Sequence, residues 1–169
     1  DAFAPKHRWA MDWYYPVLCG AITGGEARRR IDRSWDKFVV PGWGVRCVSD
    51  QPWVTTAEAS ALVLALMSIG EEERAAIVFN WIRDKKYEDG SYWMGVTFPD
   101  GVIWPEERTS WTAAAVLLAH DALHDLTPAS RLFNHRFWQE QGDVHRIAHP
   151  VAPGLFDHHR GPSFPLSRG

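Results

Sequence analysis

The sequence predicts an all-α fold of three tandem helical hairpins, and two observations support this prediction. Apolar residues recur at helical spacing in three pairs of segments. The chain also matches itself at two offsets: a shift of 46 residues aligns the first pair with the second, as Trp35 with Trp81, and a shift of 54 aligns the second with the third, as Thr55 with Thr109. We therefore expect one hairpin to be repeated three times.

Each predicted helix is bounded by residues that begin or end helices. Gly24 and Gly25 separate the first pair, and Gly70 ends the first helix of the second pair. In the third pair, Thr127 is the expected N-cap and Pro128 the first helical residue. The predicted helices span residues 11–22, 26–38, 56–69, 71–83, 110–123 and 128–139.

A short β-hairpin is predicted in the second connection, at one rim of the helical array. The second offset is longer than the first, so the extra residues must lie between Asp89 and Ser110. In that segment, residues 92–98 and 102–104 flank the turn sequence Pro99-Asp100-Gly101.

Composition limits the classes of function. The chain has 169 residues, with 18 basic and 21 acidic side chains, so a strongly basic nucleic-acid binder is not indicated. Two cysteines without a CxxC spacing predict no disulfide framework and a reducing, cytoplasmic location. No apolar run reaches the roughly 18 residues of a transmembrane helix, which predicts a soluble protein.

The chain divides into a repeat region and a tail. Residues 1–141 are predicted to form the helical hairpins, and residues 142–169 a Pro/Gly/His-rich tail without helical periodicity. The first residue is Asp rather than Met, so we expect a processed product or a piece of a longer chain.

The loops between hairpins carry a family resemblance. The sequences PGWG at residues 41–44 and DGSYW at residues 89–93 each precede a Thr/Ala-rich helix. This pattern resembles the α/α toroid of terpenoid cyclases and protein prenyltransferases, and residues 13–123 are similar to the carboxy-terminal half of bacterial prenyltransferase-like proteins. The resemblance implies an arc of a toroid that binds an isoprenoid or similar apolar ligand. It also implies a missing amino-terminal half or a second subunit that completes the ring.

The catalytic motifs of that superfamily are not present in the sequence. There is no DxDD or DDxxD motif, and the positions of the prenyltransferase zinc ligands hold Thr and Glu residues. No metal site and no cofactor are therefore expected, except Mg²⁺ if the substrate is a diphosphate. Whether the protein is an enzyme is left open.

Asp12 and Glu58 are the candidate catalytic residues. They share one position of the repeat with Thr112, near the starts of the inner helices, where a carboxylate can act as a general acid or bind a polar group. Thr55 and Glu58 also have the spacing of a capping box, which would give Glu58 a structural role. Asp12 has no such partner at Trp9.

Seven of the ten tryptophans are candidate ligand-binding residues, because they fall in loops or at the starts of inner helices. Their ring faces could stabilise a cation or stack on an isoprenoid or a sugar, although packing against the loops explains them equally well. They are Trp9, Trp13, Trp43, Trp53, Trp93, Trp104 and Trp111.

Two other functions fit the same pattern. Helical barrels also serve carbohydrate-active enzymes, in which tryptophan stacks on sugars and paired carboxylates act as acid and base. A non-catalytic helical repeat that binds a partner is the other alternative.

His120 and His124 are expected to interact favourably with the helix dipole at the end of a helix rather than to bind a metal. The arginines of residues 28–30 are expected to be solvated.

Overall fold

The computed structural model describes residues 7–137 of the chain. This part contains seven helices and a sheet of four strands. In chain order they are α1 (Ala10–Leu18), α2 (Gly24–Arg33), α3 (Trp35–Phe38), β1 (Val39–Val40), β2 (Gly44–Arg46), β3 (Trp53–Thr55), α4 (Thr56–Ser68), α5 (Glu72–Ile82), β4 (Gly95–Thr97), α6 (Ser110–His124) and α7 (Ser130–Phe133).

Helix α4 is the centre of the fold. Every one of its residues except Ala61 is buried, and α1, α5 and α6 all pack against it. The sequence of α4 explains this position, because it lacks a polar face and its Ala and Ser side chains are small enough for neighbouring helices to approach closely. A helix that is apolar on all sides is stable only when it is enclosed.

The helical periodicity of the sequence is confirmed around this centre. In α5 the buried residues are Ala75, Val78, Phe79 and Ile82, which recur at helical spacing on one face of the predicted helix. Gly70, which follows α4, has a φ of +74. Residues with a side chain disfavour this left-handed conformation, so glycine at this position allows the chain to reverse into α5.

The four strands form one antiparallel sheet in the order β1-β2-β3-β4. Val45 pairs with Thr55, and Val54 pairs with Val96. Strand β3 runs directly into α4, and the N–H of Thr56 donates to the carbonyl of Met94 at 3.1 Å. The sheet therefore lies at the amino end of the central helix.

The predicted all-α class is wrong, because the fold is mixed α and β. The strands contain only two or three residues each, too few for the alternation of apolar and polar residues that identifies a strand. The predicted hairpin is present in part: Val96 bridges to Ile103, but β4 pairs along its length with β3. Residues 7–137 give no evidence of the predicted toroid.

Two helix predictions differ from the structure. The segment predicted as one helix over residues 26–38 is divided at Ser34, whose φ of −118 and ψ of 13 lie outside the helical range. The last helix is short, and its predicted extension beyond residue 137, like the predicted tail over residues 142–169, lies outside the described residues.

The enclosure of α4 predicts an unequal response to two leucine truncations. Leu62 is 0% exposed in α4, whereas Leu117 in α6 is 67% exposed. Leu62→Ala is expected to lower the free energy of unfolding by about 2–5 kcal/mol, because it leaves a cavity in the core. Leu117→Ala is the matched control and is expected to change it by less than about 0.5 kcal/mol. Urea denaturation measures both, and equal losses would contradict a buried centre at α4.

Candidate functional site

A cavity of about 410 Å³ lies beside the start of α1. It brings together three of the predicted site residues, Trp9, Asp12 and Trp13. Six of its nine lining residues are polar or charged, and the other three are Trp or Phe. The lining residues are His7, Trp9, Asp12, Trp13, Arg30, Arg33, Ser34, Lys37 and Phe38. We call this space the Asp12 cavity.

Reciprocal hydrogen bonds fix α1 against α2 at the Asp12 cavity. The indole N–H of Trp13 donates to the carbonyl of Arg30 at 2.9 Å, and the Arg30 guanidinium donates to the carbonyls of Trp13 and Asp12 at 2.8 and 2.7 Å. The Trp13 ring also stacks on Phe38, with the ring centroids 5.2 Å apart. Asp12 is therefore held on a rigid element.

The start of α1 is also attached to the segment after β2. The N–H of Ala10 donates to the carbonyl of Cys47 at 3.0 Å, and Trp9 forms an isolated antiparallel bridge with Val48. Arg8 pairs with Asp50 at 3.0 Å. These contacts join residues 8–10 to residues 47–50.

Three cationic side chains share the lining of the cavity with Asp12. The Arg30 guanidinium is engaged with backbone carbonyls, and the Lys37 ammonium donates to the carbonyl of His7. Arg33, an exposed residue at the end of α2, also lines the cavity. The lining of the site therefore combines hydrogen-bond donors with a carboxylate and the exposed indole ring of Trp9.

Glu58 occupies a different environment, in the first turn of α4. It is 8% exposed, and the Thr55 hydroxyl donates to its carboxylate. The predicted capping box is not formed, because no side chain caps a backbone N–H at Thr55. At the equivalent positions in α6, the hydroxyls of Thr109 and Thr112 lie 2.7 Å apart. Both α4 and α6 therefore begin with a hydrogen-bonded pair of side chains at equivalent positions of the repeat.

The buried Glu58 charge acts on two neighbours. Burial raises the pKa of the Tyr14 phenol, and the Glu58 charge raises it further. Burial raises the pKa of the Cys47 thiol to about 12, and both the Glu58 charge and a hydrogen bond to Glu58 contribute. Glu58 does not line the Asp12 cavity, so the structure does not bring the two predicted carboxylates into that one cavity.

Trp53 and Trp104 form an edge-to-face pair beside the sheet, which we call the tryptophan pair. Their ring centroids are 5.2 Å apart, and the Trp53 indole N–H donates to the Trp104 carbonyl at 2.7 Å. Trp53 lies directly on the backbone of Gly95, where an added Cβ would be 2.4 Å from its ring nitrogen. Trp104 remains 56% exposed.

The other predicted tryptophans are divided between packing and solvent. Trp43 meets Phe98 edge-to-face at 5.6 Å and accepts a hydrogen bond from the Lys85 ammonium through its carbonyl. Burial lowers the pKa of Lys85 to about 8. Trp93 packs edge-to-face on Tyr87, at 6.5 Å between centroids. Trp111, the second residue of α6, is 53% exposed.

Sequence reasoning missed the cations of the Asp12 cavity. Arg30 was predicted to be solvated with its neighbours, but it is bonded to the backbone of α1. The spacing of Arg30, Arg33 and Lys37 by three and four residues would have placed them on one helical face.

No metal site or membrane span is found in the described part of the chain. His120 and His124 are exposed, with ring centroids 4.5 Å apart. Residues 7–137 contain no group of three or more His, Cys, Asp or Glu side chains that could hold a metal ion. None of the helices described is both long and apolar enough to cross a membrane.

Comparison with known proteins identifies a similar enzyme. No protein-family model matches the chain. Over 133 residues the chain is 55% identical to MMP endo-(1,4)-3-O-methyl-alpha-D-mannosidase of Mycolicibacterium hassiacum. The matched region is 79% of this chain and 37% of the relative, so the chain spans little more than a third of that protein's length.

This similarity overturns the predicted resemblance to terpenoid cyclases and prenyltransferases. The relative is named as a mannosidase, which is a hydrolase rather than a transferase. The prediction was wrong because repeated helical hairpins specify an architecture and not a reaction. Over 79% of its length, the chain is similar to part of a carbohydrate-active enzyme.

Proposed function

We propose that this chain forms part of the substrate site of a glycoside hydrolase that cleaves (1,4)-linked 3-O-methyl-mannose chains. The observation that carries the proposal is the 55% identity to a mannosidase named for that substrate. Carbohydrate chemistry with tryptophan walls and carboxylates was one of the two alternatives that the sequence itself left open.

The Asp12 cavity supports the proposal through its chemistry. Glycoside hydrolysis uses two carboxylates that flank the bond that breaks: one protonates the leaving oxygen as a general acid, and the other acts as a base or a nucleophile. Asp12 can supply one of the two. Asp12 lines the cavity beside Trp9, which is 43% exposed and whose flat ring can pack on the C–H face of a sugar. Arg33 and Ser34 supply donors for sugar hydroxyl and ether oxygens.

A methylated sugar suits this composition. An O-methyl group replaces a hydroxyl donor with an apolar surface, so a chain of such sugars is more amphipathic than ordinary mannan. Indole rings match that character, because each has a large apolar body and one N–H donor. Trp9, Trp104 and Trp111, which are 43%, 56% and 53% exposed, provide such surfaces.

Asp12 is the stronger of the two candidate catalytic carboxylates. Glu58 is 8% exposed, and its carboxylate is bonded to Thr55 and next to Cys47. A sugar could reach it only if these contacts opened. We therefore assign the reacting carboxylate to Asp12 and keep Glu58 as the second carboxylate to be tested.

A second candidate function is saccharide binding without hydrolysis. The specific observation in its favour is the coverage: the match accounts for 37% of the relative, so residues that the relative uses in catalysis can lie in the remainder. In that case the Asp12 cavity binds sugar, and another part of the protein cleaves it.

Asp12→Asn is expected to lower kcat for hydrolysis of (1,4)-linked 3-O-methyl-mannose oligosaccharides by about 10²–10⁴-fold, because an amide cannot exchange the proton or attack the sugar. Product release is measured by chromatography, with the Mycolicibacterium hassiacum enzyme as the positive control for the substrate. Asp36→Asn, an exposed carboxylate of α3, is the matched control and should leave kcat unchanged.

The outcome separates the two functions. Loss of turnover in Asp12→Asn with unchanged unfolding midpoint supports hydrolysis at Asp12. Oligosaccharide binding without turnover in the unmodified chain supports the binding function. Full activity in Asp12→Asn would contradict the assignment of the reacting carboxylate, and loss in Glu58→Gln alone would transfer it to Glu58.

Cys47 reports the charge on Glu58. Because its pKa is raised to about 12, the reactive thiolate is scarce near neutral pH, and the alkylation rate should rise about tenfold per pH unit with no plateau between about pH 7 and pH 10. Iodoacetamide labelling of a Cys19→Ser variant, followed by mass spectrometry, measures this thiol alone.

Glu58→Gln removes the charge and should speed alkylation of Cys47 at every pH, since one cause of the raised pKa is lost. Glu26→Gln, an exposed change in α2, is the control. A plateau near the ordinary thiol pKa, or an equal rate in Glu58→Gln, would show that Glu58 does not carry its charge beside Cys47.

A further inference from the structure

The outward face of α6 differs in composition from the outward faces of the other surface helices. Helix α6 packs against α4, α5 and α7, and its buried residues include Val116, Ala119 and Ala122. Its exposed residues are Ser110, Trp111, Ala114, Leu117, His120 and His124. This set contains no Lys, Arg, Asp or Glu side chain. We call it the α6 face.

Two other helices show what this chain places on a face that solvent covers. Helix α5 exposes Glu72 and Glu73 in its first turn. The charged residues that α2 exposes are Glu26, Arg28, Arg29, Asp32 and Arg33. Charged residues on the outward side are typical of a surface helix. On α6, by contrast, Trp111 is 53% exposed and Leu117 is 67% exposed. The composition of the α6 face is therefore that of a surface that another element covers.

The α6 face carries a row of side chains that is suited to contact with a helix. Trp111, Ala114, Leu117 and His120 are three residues apart, and residues at this spacing are neighbours on a helix. A row of this kind is one of the ridges with which two helices pack. Because Ala114 is small and stands between Trp111 and Leu117, the row contains a recess that a side chain of a second helix can fill.

Helix α4 is the counterpart of α6 in the sequence repeat, and its contacts show what encloses such a helix. The shift of 54 residues aligns Ala59 with Ala113 and Leu64 with Leu118. Helix α4 packs against its hairpin partner α5 and also against α1 and α6. Helix α6 has two corresponding contacts, with its hairpin partner α7 and with α4. The surface that would make the third contact is the α6 face, and it is open to solvent.

The size of the α6 face indicates what kind of partner covers it. A helix of 15 residues is about 22 Å long and about 10 Å wide, so one side presents roughly 220 Å². A stable complex of separate molecules buries about 800 Å² on each partner. A face this small is better matched to a partner in the same polypeptide, where the effective concentration is high. The match covers 37% of the relative, so most of that protein lies outside it.

We propose that the α6 face packs against an α-helix from a part of the polypeptide that corresponds to the unmatched remainder of the mannosidase. Apolar side chains of that helix fill the recess at Ala114 and contact Trp111 and Leu117. The partner helix carries an apolar stripe, because the α6 face offers no Lys, Arg, Asp or Glu to pair with a charge. The proposal rests on the similarity to the relative and not on catalysis at Asp12.

Thermal unfolding of the full chain and of the intact Mycolicibacterium hassiacum enzyme tests this packing. Leu117→Lys is made in this chain, and Lys is placed at the aligned position of the relative. In the relative the charge would enter a covered apolar contact, so the unfolding midpoint should fall by about 4 °C or more. In this chain Leu117 is 67% exposed, so the midpoint should change by less than about 2 °C.

Ile77→Lys is the matched control, because Ile77 is a 50% exposed apolar residue of α5. Lys at this position should change the midpoint by less than about 2 °C both in this chain and at the aligned position of the relative. If Lys at the Leu117 position prevents the relative from folding, Ala at the same position is measured instead. It should lower the midpoint of the relative by about 4 °C or more, because it removes packed apolar atoms.

The other outcomes contradict the proposal. An unchanged midpoint of the relative with both Lys and Ala would show that solvent covers the α6 face in the intact enzyme. A fall in this chain as large as in the relative would show that residues of this chain or a second copy cover the face. A dimer of this chain that Leu117→Lys dissociates in sedimentation would identify the second copy. None of these measurements depends on turnover, so a failure of the proposed hydrolysis is distinguished from a failure of this packing.

Discussion

The burial of α4 on all sides is the constraint on which the rest of the structure depends. An enclosed helix must satisfy its polar groups internally. The Ser60 hydroxyl donates to the carbonyl of Thr56 at 2.8 Å, and the Thr56 hydroxyl donates to the carbonyl of Trp93 at 2.6 Å. The second bond leaves the helix and fixes the segment before β4. The position of α4 therefore determines where the sheet lies.

The helices could be predicted because their signal is spread over many residues. The run of small and apolar residues in α4 and the single buried face of α5 each repeat over three turns. The sheet could not be predicted, because β1 contains only Val39 and Val40 and its pairing depends on residues distant in sequence. The break at Ser34 was missed for a related reason: the apolar spacing continues across it.

The sequence could predict the candidate site only where the site residues occupy corresponding positions of the hairpin repeat. Asp12 and Glu58 do begin corresponding helices, but one lines a cavity and the other is enclosed. That difference arises from neighbours such as Thr55 and Cys47, which the repeat does not specify. The family resemblance was wrong for a more general reason, since repeated helical hairpins specify an architecture and not a reaction.

The attachment of residues 8–10 to residues 47–50 has a consequence for the Asp12 cavity. Trp9 lines that cavity and also bridges to Val48, so the position of its ring depends on the segment after β2. The ion pair of Arg8 with Asp50 joins the same two segments, but its side chains are 55% and 57% exposed, and such a pair contributes about 0–1 kcal/mol. Backbone hydrogen bonds therefore carry most of the attachment. A substitution after β2 can consequently alter the wall of a cavity that the substituted residue does not line.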